Sequence, residues 1–301
     1  MQINCLFVGA GRRVALAKKF ISHGFNIFAY EASSSVPIAS TSKIILGRRW
    51  KDKDIVEHIL DTIHKYNIKL LVPLQDEATY LLSKIKNQNV TDANILTSNI
   101  QSTAICFNKK FFSEFMENNF NYIYPSPDCF PQICKPMFGF SSKNISVIHN
   151  STELSNVDQS TFVLQQQVSG KEYSVDCYFD KNSNFIDAVT RERIRVSGGE
   201  VITSKTDFIE SIYKSSKSIG EKLKLIGPIC MQYIIDKENN PFIIEINARF
   251  GGGSTLSMEA GLDMIALIKK EYFDYDYKYK PLTWKNNLLM ERCYQDFFYE
   301  T

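Results

Sequence analysis

An α/β fold is predicted: a doubly wound parallel sheet first, then an α+β region built on antiparallel strands. Three observations predict it. Strand, glycine turn, helix and strand follow one another in "INCLFVGAGRRVALAKKFISHGFNIFAYEAS". Strand-like and helix-like runs keep alternating to about residue 98, as parallel βαβ units require. From Gln132 onward, short strands separated by turn residues replace that alternation.

The apolar run Ile3–Val8 reads as a strand ending at Gly9-Ala10-Gly11. Val14, Leu16, Ala17, Phe20 and Ile21 recur at helical spacing, and "FNIFAYE" closes the first βαβ unit. A helix over residues 54–66, a strand over 69–74, a helix from Asp76-Glu77 and a short strand "NILTS" follow. "TAICFNKKFFSEFMENN" predicts one helix, and the prolines of "YPSPDCFPQ" a connector. Strands are then expected at "TFVLQQQV", "EYSVDCYFD" and "FIDAVTRERIRV", with a turn at residues 180–184. A helix over residues 208–223 leads to the strand pair "PICMQYIID" and "PFIIEINAR", joined by "KENN". "SMEAGLDMIALIKKEYF" predicts a closing helix, and "NNLLMERCYQDFFYE" one more strand.

A chain of 301 residues exceeds one small core, so two or three domains are expected. Its 44% hydrophobic and 23% charged residues are those of an ordinary globular protein. A net charge of +2 leaves no footprint for nucleic acid or an anionic membrane, so neither is an expected partner. No apolar stretch approaches the ~20 residues of a membrane span, and no basic region precedes the first apolar run as in a signal peptide. Seven scattered cysteines without a C-x-x-C pair predict reduced thiols and a cytoplasmic protein. The four histidines lie apart and read as surface or helix positions.

In "PFIIEINAR" the period of two puts Glu245, Asn247 and Arg249 on one face, and Ile244, Ile246 and Ala248 on the other. Gln232 on the partner strand can face Glu245. One carboxylate and two amide oxygens form a hard oxygen set of the kind magnesium takes, and Arg249 beyond them can neutralise a transferring phosphoryl group. A solvated edge strand fits the same alternation. The three glycines of "RFGGGS" weigh against it, because they suggest a close backbone approach. Lys135, ahead of the Gly/Ser loop "KPMFGFSSKN" with Ser141 and Ser142, can hold phosphates. A plain hairpin turn fits those residues equally well, and the Walker A spacing is missing. "VLQQQVSGKEYSVD" can present the main chain of Gln166, Gln167 and Val168 to an adenine edge and Glu172 to a ribose, or form an ordinary hairpin. "GAGRR", with Val14 in place of a third glycine and Glu31 as a distant ribose candidate, matches a dinucleotide fingerprint only weakly.

Lysine, Gly/Ser loop, hinge, Gly-x-Glu, Gln and Glu-x-Asn-x-Arg-x-Gly-Gly, in this order, resemble the ATP-grasp superfamily over nearly the whole chain. The resemblance is greatest to its carbamoyl-phosphate-synthetase-like branch of stand-alone ligases. It implies a Rossmann-like pre-ATP-grasp domain at 1–98 and an ATP-grasp domain at 99–301, with a small lid subdomain at about 125–166. It further implies that Lys109 and Lys135 meet ATP phosphates, that Gln166 to Val168 form the adenine hinge, and that Glu172 binds the ribose. Gln232, Glu245 and Asn247 would hold magnesium (manganese as the alternative), and Arg249 would stabilise an acyl-phosphate. Arg193 and Arg195 would face the substrate or a phosphate. Gln166 departs from the glutamate common at the hinge, and Asn144 from a second lid glycine. The expected activity is ADP-forming ligation of a small carboxylic or amino acid to an amine or, less often, a thiol, in a cytoplasmic protein that can form a homodimer. Two alternatives stay open: a nucleotide-binding regulator of the same fold without turnover, and an NAD-dependent oxidoreductase.

Overall fold

The computed structural model describes residues 2–120, 123–127, 129–139, 144–293 and 295–298. The first part of the chain forms β1 (Ile3–Val8), α1 (Val14–Ser22), β2 (Phe25–Glu31), β3 (Lys43–Leu46), α2 (Ile55–Lys65), β4 (Leu70–Pro73), α3 (Asp76–Gln88) and β5 (Asn94–Ile95). All five strands are parallel, in the order β3-β2-β1-β4-β5. The strand "KIIL" at β3 was not among the expected elements; it is four residues long and lies at the sheet edge.

Next come α4 (Ile100–Phe107) and α5 (Lys109–Phe120), where the sequence suggested one helix. The break is at Asn108, whose backbone is extended and whose side-chain oxygen accepts from the Lys110 N–H at 2.9 Å. β6 (Gln132–Pro136), β7 (Ser146–Ile148), α6 (Ser151–Leu154) and β8 (Phe162–Gln166) follow, the three strands pairing antiparallel in the order β7-β6-β8.

The largest sheet has six strands: β9 (Lys171–Phe179), β10 (Phe185–Ser197), β11 (Glu200–Thr206), β12 (Gly227–Ile235), β13 (Pro241–Asn247) and β14 (Leu289–Glu291). Their order is β13-β12-β9-β10-β11-β14. α7 (Glu210–Lys222) packs Ile212 and Ile219 onto Val175, Cys177 and Ala188 of this sheet. The expected closing helix is again two, α8 (Ser254–Ala260) and α9 (Met264–Phe273). Gly261 takes φ +132°, a conformation that suits glycine, and Asp263 restarts the helix by accepting from the Ala266 N–H at 3.0 Å.

One face of the parallel sheet is covered by α2 and α3, through Ile55, Ile59, Ile63, Leu82 and Ile85. The other face is covered by α1 together with a far later segment. Phe20 meets Phe250 at 5.9 Å between ring centroids, and Phe25 meets Phe273 of α9 at 6.0 Å. Leu267 and Ile268 complete that core.

β1 pairs with β2 on one side and β4 on the other, so the chain leaves these neighbours in opposite directions. Such a switch point opens a crevice at the carboxyl ends of the strands. Residues 9–13 and 74–77 emerge there. Among the described residues no helix is long and apolar enough to cross a membrane.

Candidate active site

The crevice continues into a cleft of about 650 Å³ bounded by all three sheets. Lys109, Lys135, Gln166, Gln167, Val168, Glu172, Arg193, Gln232, Glu245, Asn247 and Arg249 all line it. Ser141 and Ser142 lie outside the described residues.

Gln232 stands opposite Glu245 in the β12–β13 ladder, the pairing expected from the alternation. The Gln232 amide donates to Glu245 Oε1 at 2.6 Å, and the Asn247 amide donates to the same oxygen at 3.1 Å. Both amide nitrogens are thereby turned inward. A register shift comes at once, because Tyr233 pairs with Ile243 and leaves Ile244 as an extra residue. This bulge corrects the simple alternation: Ile243, not Ile244, joins Ile246 and Ala248 in the core. The freed Ile244 carbonyl accepts from Lys135 Nζ at 3.3 Å. Lys135 is only 6% exposed. Burial lowers its pKa to about 8, with Glu245 pulling up and Lys109 pushing down. Lys109 itself starts α5 and donates from Nζ to the Gly139 carbonyl at 2.9 Å.

At the hinge, the N–H groups of Gln166 and Gln167 are taken by the carbonyls of Pro125 (3.0 Å) and Pro131 (2.9 Å). The Val168 N–H has no acceptor among the described residues, and Val168 lines the cleft. Glu172 accepts from Arg193 Nε at 3.1 Å, which ties β9 to β10 across the cleft floor.

Arg249 forms a fork with Asp76, the first residue of α3, at 2.8 and 2.9 Å, and also donates to Asn247 Oδ1 at 2.8 Å. Burial disfavours its charge, but the Asp76 carboxylate holds it above the ordinary arginine value. The glycines beyond it lie on a buried ion pair. Arg191 Nε donates to Asp176 at 2.7 Å, both side chains are 1% exposed, and Ser257 donates to the same carboxylate at 2.6 Å. A methyl group at Gly251 would come within 2.7 Å of Asp176, and one at Gly253 within 2.6 Å of Arg191 Nη1. Those contacts explain why side chains are absent there.

Whether a metal fits here is a question of donor chemistry. Glu245 Oε2 makes no hydrogen bond with a described residue, and the Gln232 amide oxygen is likewise uncommitted. Asn247 Oδ1 serves Arg249 but keeps a second lone pair. Three oxygens on one strand pair, one of them anionic, fit a magnesium ion that brings further oxygens with it. Among the described residues no cluster of three His, Cys, Asp or Glu offers a competing metal site.

Comparison with known proteins agrees with this fold. Residues 158–292 match the family model described as ATP-grasp in the biosynthetic pathway with Ter operon, and residues 5–95 match the PylC-like N-terminal domain. The chain has the ATP-grasp fold. The biotin carboxylase domain of Hydrogenobacter thermophilus 2-oxoglutarate carboxylase, solved with MgADP and bicarbonate, superposes with a TM-score of 0.74 at 13% identity. That match covers 96% of this chain and 74% of the other. N5-carboxyaminoimidazole synthetase from Staphylococcus aureus, complexed with ADP, gives 0.72 at 14% identity over 93% and 80% of the two chains. L-amino acid ligase from Bacillus licheniformis gives 0.67 at 15% over 90% and 74%. None of the curated proteins matches the chain in sequence.

Within this cleft-forming fold one expected residue stands apart. Arg195 does not line the cleft: its side chain is 63% exposed and pairs with Glu291 of β14 at 3.1 Å. The cause is a bulge. Arg193 pairs with Ser204 and Arg195 with Thr203, so Ile194 is an extra residue and the two arginines no longer share a face. Glu31 is no free ribose ligand either, since it accepts from the Gly11 N–H at 2.9 Å and so closes the turn of its own domain. Among the cleft residues to which the sequence reading gave no site role are Asp76 and Arg13. Both come after strands at the switch point, which only the strand order reveals.

Proposed function

We propose that this chain is an ATP-dependent, ADP-forming ligase that activates a small carboxylate as its acyl-phosphate and transfers the acyl group to an amine. The observation that carries this reading is the Glu245 carboxylate, held by two inward-turned amides with Lys135 behind it and Arg249 beyond it in one cleft. The ATP-grasp fold and the ligases among its structural neighbours support the same reading.

In this proposal Gln232, Glu245 and Asn247 would hold magnesium, which would offset the charge of the phosphates. Lys109 and Lys135 meet the phosphates, Val168 N–H meets the adenine edge, and Glu172 the ribose. Ser141 and Ser142 join from the lid loop, and Arg193 lies on the floor beside Glu172. The substrate carboxylate attacks the γ-phosphorus in line and ADP leaves; the amine then displaces phosphate from the acyl carbon. Arg249 faces the charge that builds in both steps. Such chemistry needs placement and charge neutralisation rather than a covalent protein nucleophile. Residues 1–98 would act as the substrate-side domain, 99–301 as the nucleotide domain, and about 125–166 as its lid. Its partners are the small carboxylate and amine substrates, with a second copy of the chain as a homodimer partner.

ADP release measured over a panel of carboxylate and amine pairs tests the proposal. Turnover should appear for at least one pair and vanish in Glu245→Gln, while that variant keeps its melting temperature. Wild-type protein that neither binds Mg-ATP nor releases ADP with any pair would refute it.

A further inference from the structure

The turn Gly9–Arg13 remains without a role once the dinucleotide reading is set aside, yet it lines the same cleft. The Arg13 guanidinium makes no hydrogen bond or ion pair with any described residue. It lies over the triple glycine, since a methyl at Gly252 would be 3.3 Å from Arg13 Nη1. Arg292 donates to the Gly252 carbonyl, and Arg249, three residues earlier, donates to the Phe250 carbonyl. Arg191 lies beneath, with its Nη1 buried and lacking any partner. Asp76 offsets Arg249 and Asp176 offsets Arg191, while Arg13 feels Glu200, which is shared with Arg292 at 3.5 Å. Burial and the nearby guanidiniums of Arg249 and Arg292 lower the Arg13 pKa to about 10.

An unpaired guanidinium beside like charges is costly unless an anion joins it. The turn that carries it is fixed: Arg13 N–H bonds the Ala10 carbonyl at 2.9 Å, and Glu31 clamps Gly11. α1 starts directly after it with no acidic residue in its first turn, so its positive end is uncompensated. The arginine is therefore held ready rather than loosely tethered.

We propose that Arg13, over Gly252, binds a second anionic group of the acceptor substrate, a carboxylate or a phosphate distinct from the carboxylate that is activated. This rests on the ligase reading and narrows it. The activated substrate is a dicarboxylic acid or a phosphorylated acid, and a monocarboxylic acid with an uncharged tail is a poor one. The N-terminal domain then selects the acceptor, while the nucleotide is held by the other two sheets.

Calorimetric titration of malonate, and separately of inorganic phosphate, into the Mg-ADP-loaded protein tests this, with Arg13→Met, Arg13→Lys and Arg49→Met compared. Expected is binding of at least one probe to wild type, weakened tenfold or more in Arg13→Met, partly restored in Arg13→Lys and unchanged in Arg49→Met, which alters an exposed arginine away from the cleft. Mg-ADP affinity and melting temperature should be the same in all four proteins. The probe that responds tells carboxylate from phosphate. Equal probe affinity in wild type and Arg13→Met, or no probe binding to a wild-type protein that does bind Mg-ADP, overturns the assignment. Failure of Mg-ADP itself to bind would count against the ligase reading, and the same titrations on nucleotide-free protein would then decide Arg13.

Discussion

Nucleotide binding should weaken as pH rises through about 8, because of Lys135. Its ammonium is buried behind β13 and held by the Ile244 carbonyl, and its pKa is lowered from 10.5 to about 8. Phosphate binds the protonated form, so the free protein must hold that proton or take one up. The apparent dissociation constant then scales as one plus ten to the power of pH minus pKa. That factor is close to unity at pH 7 and about tenfold at pH 9, or about 1.4 kcal/mol. A lysine at its ordinary value would lose only about 3% at pH 9. Titration of Mg-ADP with a fluorescent analogue at pH 7, 8 and 9 and fixed ionic strength reads the effect. Calorimetry in buffers of different ionisation enthalpy should find about half a proton taken up at pH 8. Lys135→Arg, always charged, should flatten the profile. A wild-type affinity constant within twofold across that range, or a parallel fall in Lys135→Arg, would refute the reasoning.

Arg249→Ala should raise the barrier to turnover by ~3–4 kcal/mol, the loss expected when one positioned charge donor is removed. Mg-ADP affinity should change far less, and steady-state kinetics beside equilibrium binding would separate the two. Asp176→Ala should destabilise the fold by ~3–5 kcal/mol, because it leaves the Arg191 charge buried and unpaired. Urea unfolding measures that loss, and a shift under about 1 kcal/mol would mean that Arg191 finds another partner.

The order of elements was legible because hydrophobic periodicity is local: Ile3–Val8, the Gln232–Glu245 pairing and the turn at residues 237–240 all come from short-range alternation. Bulges are not legible in that way. Ile244 and Ile194 each insert one residue without a marking glycine or proline, and each reverses the face of the strand residues beyond it. One bulge aims a carbonyl at Lys135; the other carries Arg195 away from the cleft. The breaks at Asn108 and Gly261 sit inside runs whose apolar period continues, so periodicity alone joins the helices. Asp76 and Arg13 were hidden for a different reason. Asp76 meets its partner 173 residues away, and Arg13 has none among the described residues; only the strand order brings both to the cleft.

The shared core has a consequence for how the chain acquires its shape during synthesis. β1 to β5 emerge first, but Phe20 and Phe25 gain their covering rings only when Phe250 and α9 have been made. Roughly 175 residues must be added after residue 98 before Phe273 appears, which at ribosomal rates takes on the order of ten to thirty seconds. Throughout that interval the part of this face that α1 leaves uncovered is open to water. The nascent chain therefore presents a sticky apolar surface to whatever meets it at the tunnel exit until α9 arrives to cover it.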